Sequence, residues 1–117
     1  MESERNWMQE TVNEIITMGD IETNDSFLNV HTVATLKEKL SDIIAFLMDH
    51  NFEKLLWILY RIDVDEQKAK ALLSKHLPED APAILADLII QRQLKKEEFR
   101  RQYSSKPQTP GDEDLLL

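Results

Sequence analysis

Apolar residues recur along most of the 117-residue chain at the three- and four-residue spacing that is typical of amphipathic helices. In the clearest case the repeating positions are Val33, Leu36, Leu40, Ile43 and Leu47. No stretch has the alternating pattern of a convincing strand. The pattern predicts an all-α fold, an irregular bundle of about five helices over residues 6–18, 32–49, 52–62, 65–76 and 82–103.

A polar position separates the second predicted helix from the third. The apolar face of the second helix next reaches Asn51, which has a strong preference for helix caps. The adjacent Asp49 and His50 are mediocre helix formers. We therefore favour a break near residues 50–51 over one continuous helix that extends to Ile62.

The third predicted helix, residues 52–62, is apolar almost all round. A helix without a polar face is covered by other elements or by a partner chain, so we expect this helix to lie at the centre of the bundle. In a protein this small, other helices cover only part of its circumference. Trp57 and Tyr60 are then either core residues with a polar tip at the surface or part of a surface for self-association.

Acidic residues in the turn after this helix have two interpretations. As a calcium loop counted from Asp63, the stretch has Lys68 where an EF-hand needs glycine and Ser74 where it needs a bidentate glutamate, so we reject a calcium site. As a helix start, the acids interact favourably with the unpaired N–H groups of the first turn. Either Asp63 or Asp65 can be the N-cap. We favour Asp63, because Glu66 then occupies the third position of a capping box.

The first helix and the loop after it carry their own boundary signals. Asn6 is placed to cap the helix, with Gln9 as a capping-box partner, and Gly19 ends it. The turn-rich residues that follow, 19–31, form a loop that is long for a compact domain. We therefore expect Phe27 and Leu28 to anchor this loop to the core.

The last residues of the chain differ from the rest. Residues 104–117 contain two prolines, one glycine and no apolar periodicity. We predict that they form a disordered acidic tail and that residues 1–103 form a single helical domain.

The composition excludes several classes of chemistry. The absence of cysteine removes disulfides, thiol nucleophiles and thiolate metal sites, and fits a reducing compartment. Two glycines are too few for a phosphate-cradling loop, and His31, His50 and His76 form no ligand or catalytic motif. We therefore expect no enzymatic activity, no cofactor and no metal.

The chain also lacks the signals of export and membrane insertion. Its N-terminus has no basic region followed by an apolar core, which a secretory signal needs. The longest apolar runs have six residues, far fewer than the ~20 that span a bilayer. These features predict a cytoplasmic protein without a membrane partner.

The net charge of −8 is unevenly distributed. Residues 1–30 contain seven acidic residues and one arginine, a net −6, whereas residues 91–106 have a net +4. In this basic segment the candidate electrostatic contacts are Arg92, Lys95, Lys96, Arg100 and Arg101, and the candidate interface aromatics are Phe99 and Tyr103. We expect a solvated charged helix, or docking of this segment on the acidic N-terminal region of its own or a neighbouring chain.

Nucleic acid is an unfavoured partner, because most of this acidic surface repels phosphates. A nucleic-acid-associated regulator that uses residues 92–103 is nevertheless the alternative hypothesis, since that segment combines cations with Phe99 and Tyr103.

Residues 52–96 carry a resemblance to other proteins. An aromatic and aliphatic helix ends in YRID, an acidic turn follows, and the helix LADLIIQRQ comes after a proline. In these features the segment resembles small all-helical bacterial proteins of unknown function. The resemblance implies a bacterial, cytosolic origin and an all-α fold, and it implies no activity.

The function that these observations predict is that of a non-enzymatic protein-interaction or regulatory module. Its partner is another protein or, in a homodimer, a second copy that binds through the apolar third helix.

Overall fold

The structure, a computed structural model, describes residues 6–22 and 30–105. Its helices are α1 (Trp7–Gly19), α2 (Val33–His50), α3 (Phe52–Ile62), α4 (Glu66–Ser74) and α5 (Ala81–Ser105), and a 3-10 turn (Pro78–Asp80) precedes α5. No strand occurs in the described part of the chain. The predicted all-α bundle of five helices is confirmed.

Two predictions fall wholly or mostly on residues that the structure does not describe. Phe27 and Leu28, the expected anchors of the loop, lie outside the described residues. So do residues 106–117 of the predicted tail, whereas residues 104 and 105 continue α5.

The centre of the bundle is the contact between α2 and α5, which is the most extensive of all the helix pairs. α2 buries Leu36, Leu40, Ile43, Ile44 and Leu47, and the first half of α5 buries Leu85, Ala86, Leu88, Ile89 and Ile90. The prediction that α3 is central is therefore wrong. α3 has 11 residues against 18 in α2 and 25 in α5, so the two long helices share the longer contact and α3 packs at the edge.

The predicted break between α2 and α3 is confirmed at Asn51. Its backbone leaves the helical region, with φ −159° and ψ 75°. Its N–H still donates to the carbonyl of Leu47 at 2.8 Å, and its Oδ1 accepts from the N–H of Lys54 at 3.1 Å. One residue thus ends α2 and caps α3, so the chain turns without an intervening loop.

The turn after α3 corrects the prediction that Asp63 is the N-cap of α4. Asp63 has a left-handed backbone, φ 73° and ψ 46°, and its N–H donates to the carbonyl of Leu59 at 3.1 Å, as does the N–H of Val64. These are the bonds of a helix C-cap, so Asp63 ends α3. The N-cap of α4 is Asp65, whose Oδ1 accepts from the N–H of Lys68 at 3.1 Å. An N-cap residue has an extended backbone, as Asp65 has at φ −66° and ψ 111°. The left-handed backbone of Asp63 therefore excludes it as the N-cap.

α1 begins at the predicted cap, where Oδ1 of Asn6 accepts from the N–H of Gln9 at 3.2 Å. The side chain of Gln9 has a role that the capping-box prediction does not include. Its Oε1 accepts from the N–H of the buried Val30 at 3.0 Å, so it ties α1 to the segment before α2. α1 ends at Gly19 as predicted, but the residue with the left-handed backbone is Asp20, at φ 55°.

Candidate functional site

A groove of about 450 Å³ lies between α3 and α4 at the edge of the bundle. The buried residues Leu55, Ala81 and Leu85 form its base. The lining residues of α3 include Phe52, Leu56, Leu59 and Tyr60, and those of α4 are Glu66, Ala69, Lys70 and Leu73. Both walls are therefore helices, and the space between them is apolar.

The α3 wall follows from how apolar residues are spaced in that helix. Leu55, Ile58 and Ile62, three and four residues apart, form the buried face. Phe52, Leu56 and Tyr60, each four residues apart, form a ridge beside that face, which we call the α3 ridge. Because only one face of this edge helix meets the core, the ridge stays exposed: 51% for Phe52, 50% for Leu56 and 81% for Tyr60.

The groove contains almost no net charge. Among the residues that the structure describes, its charged lining residues are Glu66 and Lys70, one turn apart on α4. The Nζ of Lys70 lies 3.2 Å from Oε2 of Glu66, so the two charges neutralise each other at the rim. A ligand that fits this groove therefore has to present an apolar surface.

The four aromatic residues predicted as an interface lie in different places. Tyr60 belongs to the α3 ridge, so its core interpretation is wrong. Trp57 is 45% exposed on the adjacent side of α3, where its ring lies 5.4 Å from Nζ of Lys54. Phe99 and Tyr103 form an edge-to-face pair, with ring centroids 4.5 Å apart, on the second half of α5. The structure therefore does not bring the four aromatics together.

The basic segment contacts the end of α3. Nη2 of Arg92 lies 3.2 Å from Oδ2 of Asp63, and Nζ of Lys96 donates to the carbonyl of Ile62 at 3.2 Å. A cation beside the last carbonyls of a helix interacts favourably with its dipole. Lys95 lies next to these two residues, around a cavity of about 290 Å³. Arg92 and Lys96 therefore hold the α3 terminus against α5.

The two remaining candidate cations share a carboxylate. Glu97 is 8% exposed, and its Oε1 lies 2.9 Å from Nη1 of Arg100. Its Oε2 lies 4.0 Å from Nε of Arg101. The acidic Glu10 and Glu14 of α1 line the same small cavity as Arg100. The basic half of α5 therefore lies next to acidic residues of α1 in the same chain.

The described residues include no group of three or more His, Cys, Asp or Glu side chains that could hold a metal ion. Within the described ranges, residues 6–22 and 30–105, no helix has both the length and the apolar character needed to cross a membrane. The carboxylates of the rejected calcium loop have structural partners, since Asp63 pairs with Arg92 and Asp65 caps α4.

The residues that the sequence interpretation missed are Phe52 and Leu56. The signal was present in the spacing of Phe52, Leu56 and Tyr60, which repeats every four residues. It was hidden because α3 is apolar on other sides as well, so the pattern did not show which side the core leaves uncovered.

Comparison of the chain with known protein families, with curated proteins and with solved structures finds no match. The groove and the charged surfaces of the chain are therefore the basis for inferring its function.

Proposed function

We propose that this protein is a non-enzymatic, cytoplasmic protein-interaction module whose α3–α4 groove binds the apolar face of a helix from another polypeptide. The observation that carries the proposal is the exposed α3 ridge beside a groove whose two charges neutralise each other. An exposed apolar patch of a few hundred Å² on a soluble protein is often a binding site.

The size of the patch fits a moderate affinity. A Phe or Tyr side chain buries about 200 Å², so Phe52 and Tyr60 at their exposures leave about 260 Å² uncovered, and Leu56 raises the total to about 350 Å². Removing this area from water contributes roughly 9 kcal/mol of favourable free energy to binding. Association costs about 4–15 kcal/mol, so the α3 ridge needs the groove walls as well to give stable binding.

The shape of the groove favours a helix over an extended peptide. A peptide that binds as a β-strand needs an exposed strand edge, and residues 6–22 and 30–105 contain no strand. A helix that lies in an apolar groove needs walls that accept side chains spaced by three, four and seven residues. Two helices form the walls of the groove, and the α3 ridge on one of them provides side chains at a helical spacing.

The proposal is tested by site-specific photo-cross-linking in the native cells. Tyr60 is replaced by p-benzoylphenylalanine, and the matched control carries the same residue at Val33, which is 52% exposed. Val33 lies about 22 Å along α2 from Met48, the α2 residue that lines the groove. We expect a discrete cross-linked protein from position 60 only. We also expect Leu56→Glu to abolish this cross-link, because it puts a charge in the apolar groove. The substitution leaves helix propensity almost unaltered, so α3 itself should still form.

The proposal is overturned if position 60 gives no cross-linked protein, or if positions 60 and 33 give the same products. Circular dichroism of the Leu56→Glu variant serves as the control for folding.

The alternative hypothesis, a nucleic-acid-associated regulator, has less support. Four of its five candidate cations contact acceptors of the same chain: Arg92, Lys96, Arg100 and Arg101. Cations that are engaged in this way contribute less to the neutralisation of phosphates.

A further inference from the structure

We propose that the helix bound in the groove is α3 of a second copy of this chain, packed antiparallel with Leu56 of both copies at the crossing point. This proposal rests on the proposed function and names the partner.

The first argument is self-complementarity. A two-fold symmetric dimer needs one surface that binds its own copy. The α3 ridge and the groove are adjacent parts of one surface, because Phe52, Leu56 and Tyr60 are lining residues of the groove and also protrude from it. A two-fold axis near Leu56 therefore packs the two ridges against each other, so that each ridge also borders the groove of the other copy.

The second argument is the spacing of the ridge. Side chains four residues apart form ridges that interdigitate with the same ridges of a second helix at a crossing angle of about −50°, the commonest helix packing in globular proteins. The α3 ridge extends from residue 52 to residue 60, about 12 Å along the helix axis. Leu56, its middle residue, lies where the two helices are closest.

The third argument is the helix dipole. An antiparallel arrangement centred on Leu56 places Phe52 of one copy near Tyr60 of the second copy, and the N-terminus of each α3 near the C-terminus of the other. A parallel arrangement would instead place like helix ends together, which is unfavourable. The dipole of α3 therefore favours the antiparallel orientation.

The fourth argument is area. The α3 ridge exposes about 350 Å², and Trp57, at 45% exposure on the neighbouring side, adds about 110 Å². Two copies thus bring about 900 Å² from four side chains each, and the α4 walls have to supply the remainder of the ~1,200 Å² of the smallest specific interfaces. We therefore expect a reversible dimer with a dissociation constant on the order of micromolar.

The first test measures the mass of the full chain by sedimentation equilibrium over a range of concentrations on both sides of 1 µM, on the order of the expected dissociation constant. We expect the mass to rise from one chain to two. Leu56→Glu should weaken the dimer by at least about 100-fold, because it places two charges at the crossing point. Val33→Glu, a substitution at a site of equal exposure away from the groove, should leave the dimer unchanged.

The second test determines the orientation and exploits the absence of cysteine from the chain. Leu56→Cys should form a disulfide-linked dimer under mild oxidation, because residues at the crossing point come within reach of a disulfide, whereas Val33→Cys should not. With a short bismaleimide cross-linker, a mixture of Phe52→Cys and Tyr60→Cys chains should give the mixed dimer. Efficient cross-linking of Phe52→Cys alone would show a parallel arrangement and overturn the orientation.

The inference is overturned if the full chain is monomeric at every concentration and Leu56→Cys cross-links no faster than Val33→Cys. If position 60 still cross-links to a different protein in that case, the proposed function stands and only the second copy is excluded. A chain that dimerises only after residues 106–117 are removed would also overturn the inference, because those residues would then be the occupant of the groove in the intact chain.

Discussion

The two aspartates of the turn between α3 and α4 have opposite backbone requirements, and substitution should separate them. Asp65 caps α4 through the bond from the N–H of Lys68, at 3.1 Å. Asp63 has φ 73°, a conformation that glycine adopts without strain. We predict that Asp65→Ala lowers the free energy of unfolding by about 1 kcal/mol and that Asp63→Gly changes it by less than about 0.5 kcal/mol.

The small change in the free energy of unfolding expected for Asp63→Gly is the difference between two contributions of similar size. Glycine at position 63 relieves a left-handed backbone cost of about 1 kcal/mol. The same change removes the ion pair with Arg92, whose Nη2 lies 3.2 Å from Oδ2 of Asp63. That carboxylate is largely exposed, so the pair is worth about 0.2–1 kcal/mol. Asp63→Ala loses the ion pair without relieving the strain, and is therefore expected to be more destabilising than Asp63→Gly.

Urea unfolding followed by circular dichroism measures these differences. For a domain of about 100 residues, 1 kcal/mol also corresponds to a shift of roughly 4 °C in Tm. The unfolding slopes of the variants should be equal, which shows that the changes act on stability and not on the extent of unfolding. If Asp63→Gly is more destabilising than Asp65→Ala, the assignment of Asp65 as the N-cap is wrong.

The remaining predictions concern the core and the basic segment. Leu40→Ala should lower the free energy of unfolding by about 2–5 kcal/mol in urea, because Leu40 is fully buried in α2, the helix at the centre of the core. Glu97→Gln should lower it by about 1–2 kcal/mol, and the loss should be smaller for Arg100→Gln, because Arg100 is largely exposed and regains water. Replacing Arg100 and Arg101 together by Glu should leave the weak binding of a short DNA duplex unchanged in a fluorescence anisotropy titration at low salt. A large loss of salt-sensitive affinity would support the nucleic-acid alternative instead.

The parts of the fold that were predictable have signals within a few residues of sequence. Asn6 and Asn51 begin helices because an asparagine side chain can accept the bond from an N–H three residues on. Asp63 and Asp65 were not distinguishable in this way, since both are followed by residues that suit a helix start. The choice depends on whether α3 ends with a left-handed residue, and that backbone conformation is visible only in the structure.

The position of α3 was not predictable for a different reason. Composition shows how many apolar residues a helix has, but the number of its sides that are covered depends on which helices pair elsewhere. Here α2 and α5 take the central contact, and α3 is left with one buried face. The side of α3 that the core leaves uncovered also decides which residues form the candidate site. Tyr60 was identified from the sequence as an aromatic residue of α3, whereas Phe52 and Leu56 became recognisable only when the uncovered side was known.

The two walls of the groove are held in different ways, and this difference bears on the proposed binding of a helix. The α3 wall is fixed by its buried face and by Lys96 at its last carbonyls. The α4 wall has no fully buried residue and depends on its cap at Asp65 and on partly buried contacts. Elements with few buried contacts open at lower free energy than the core. In the proposed complex α4 is therefore the wall that adjusts to the bound helix while α3 keeps the ridge in place. We expect loss of the Asp65 cap to weaken that binding as well as the stability of the chain.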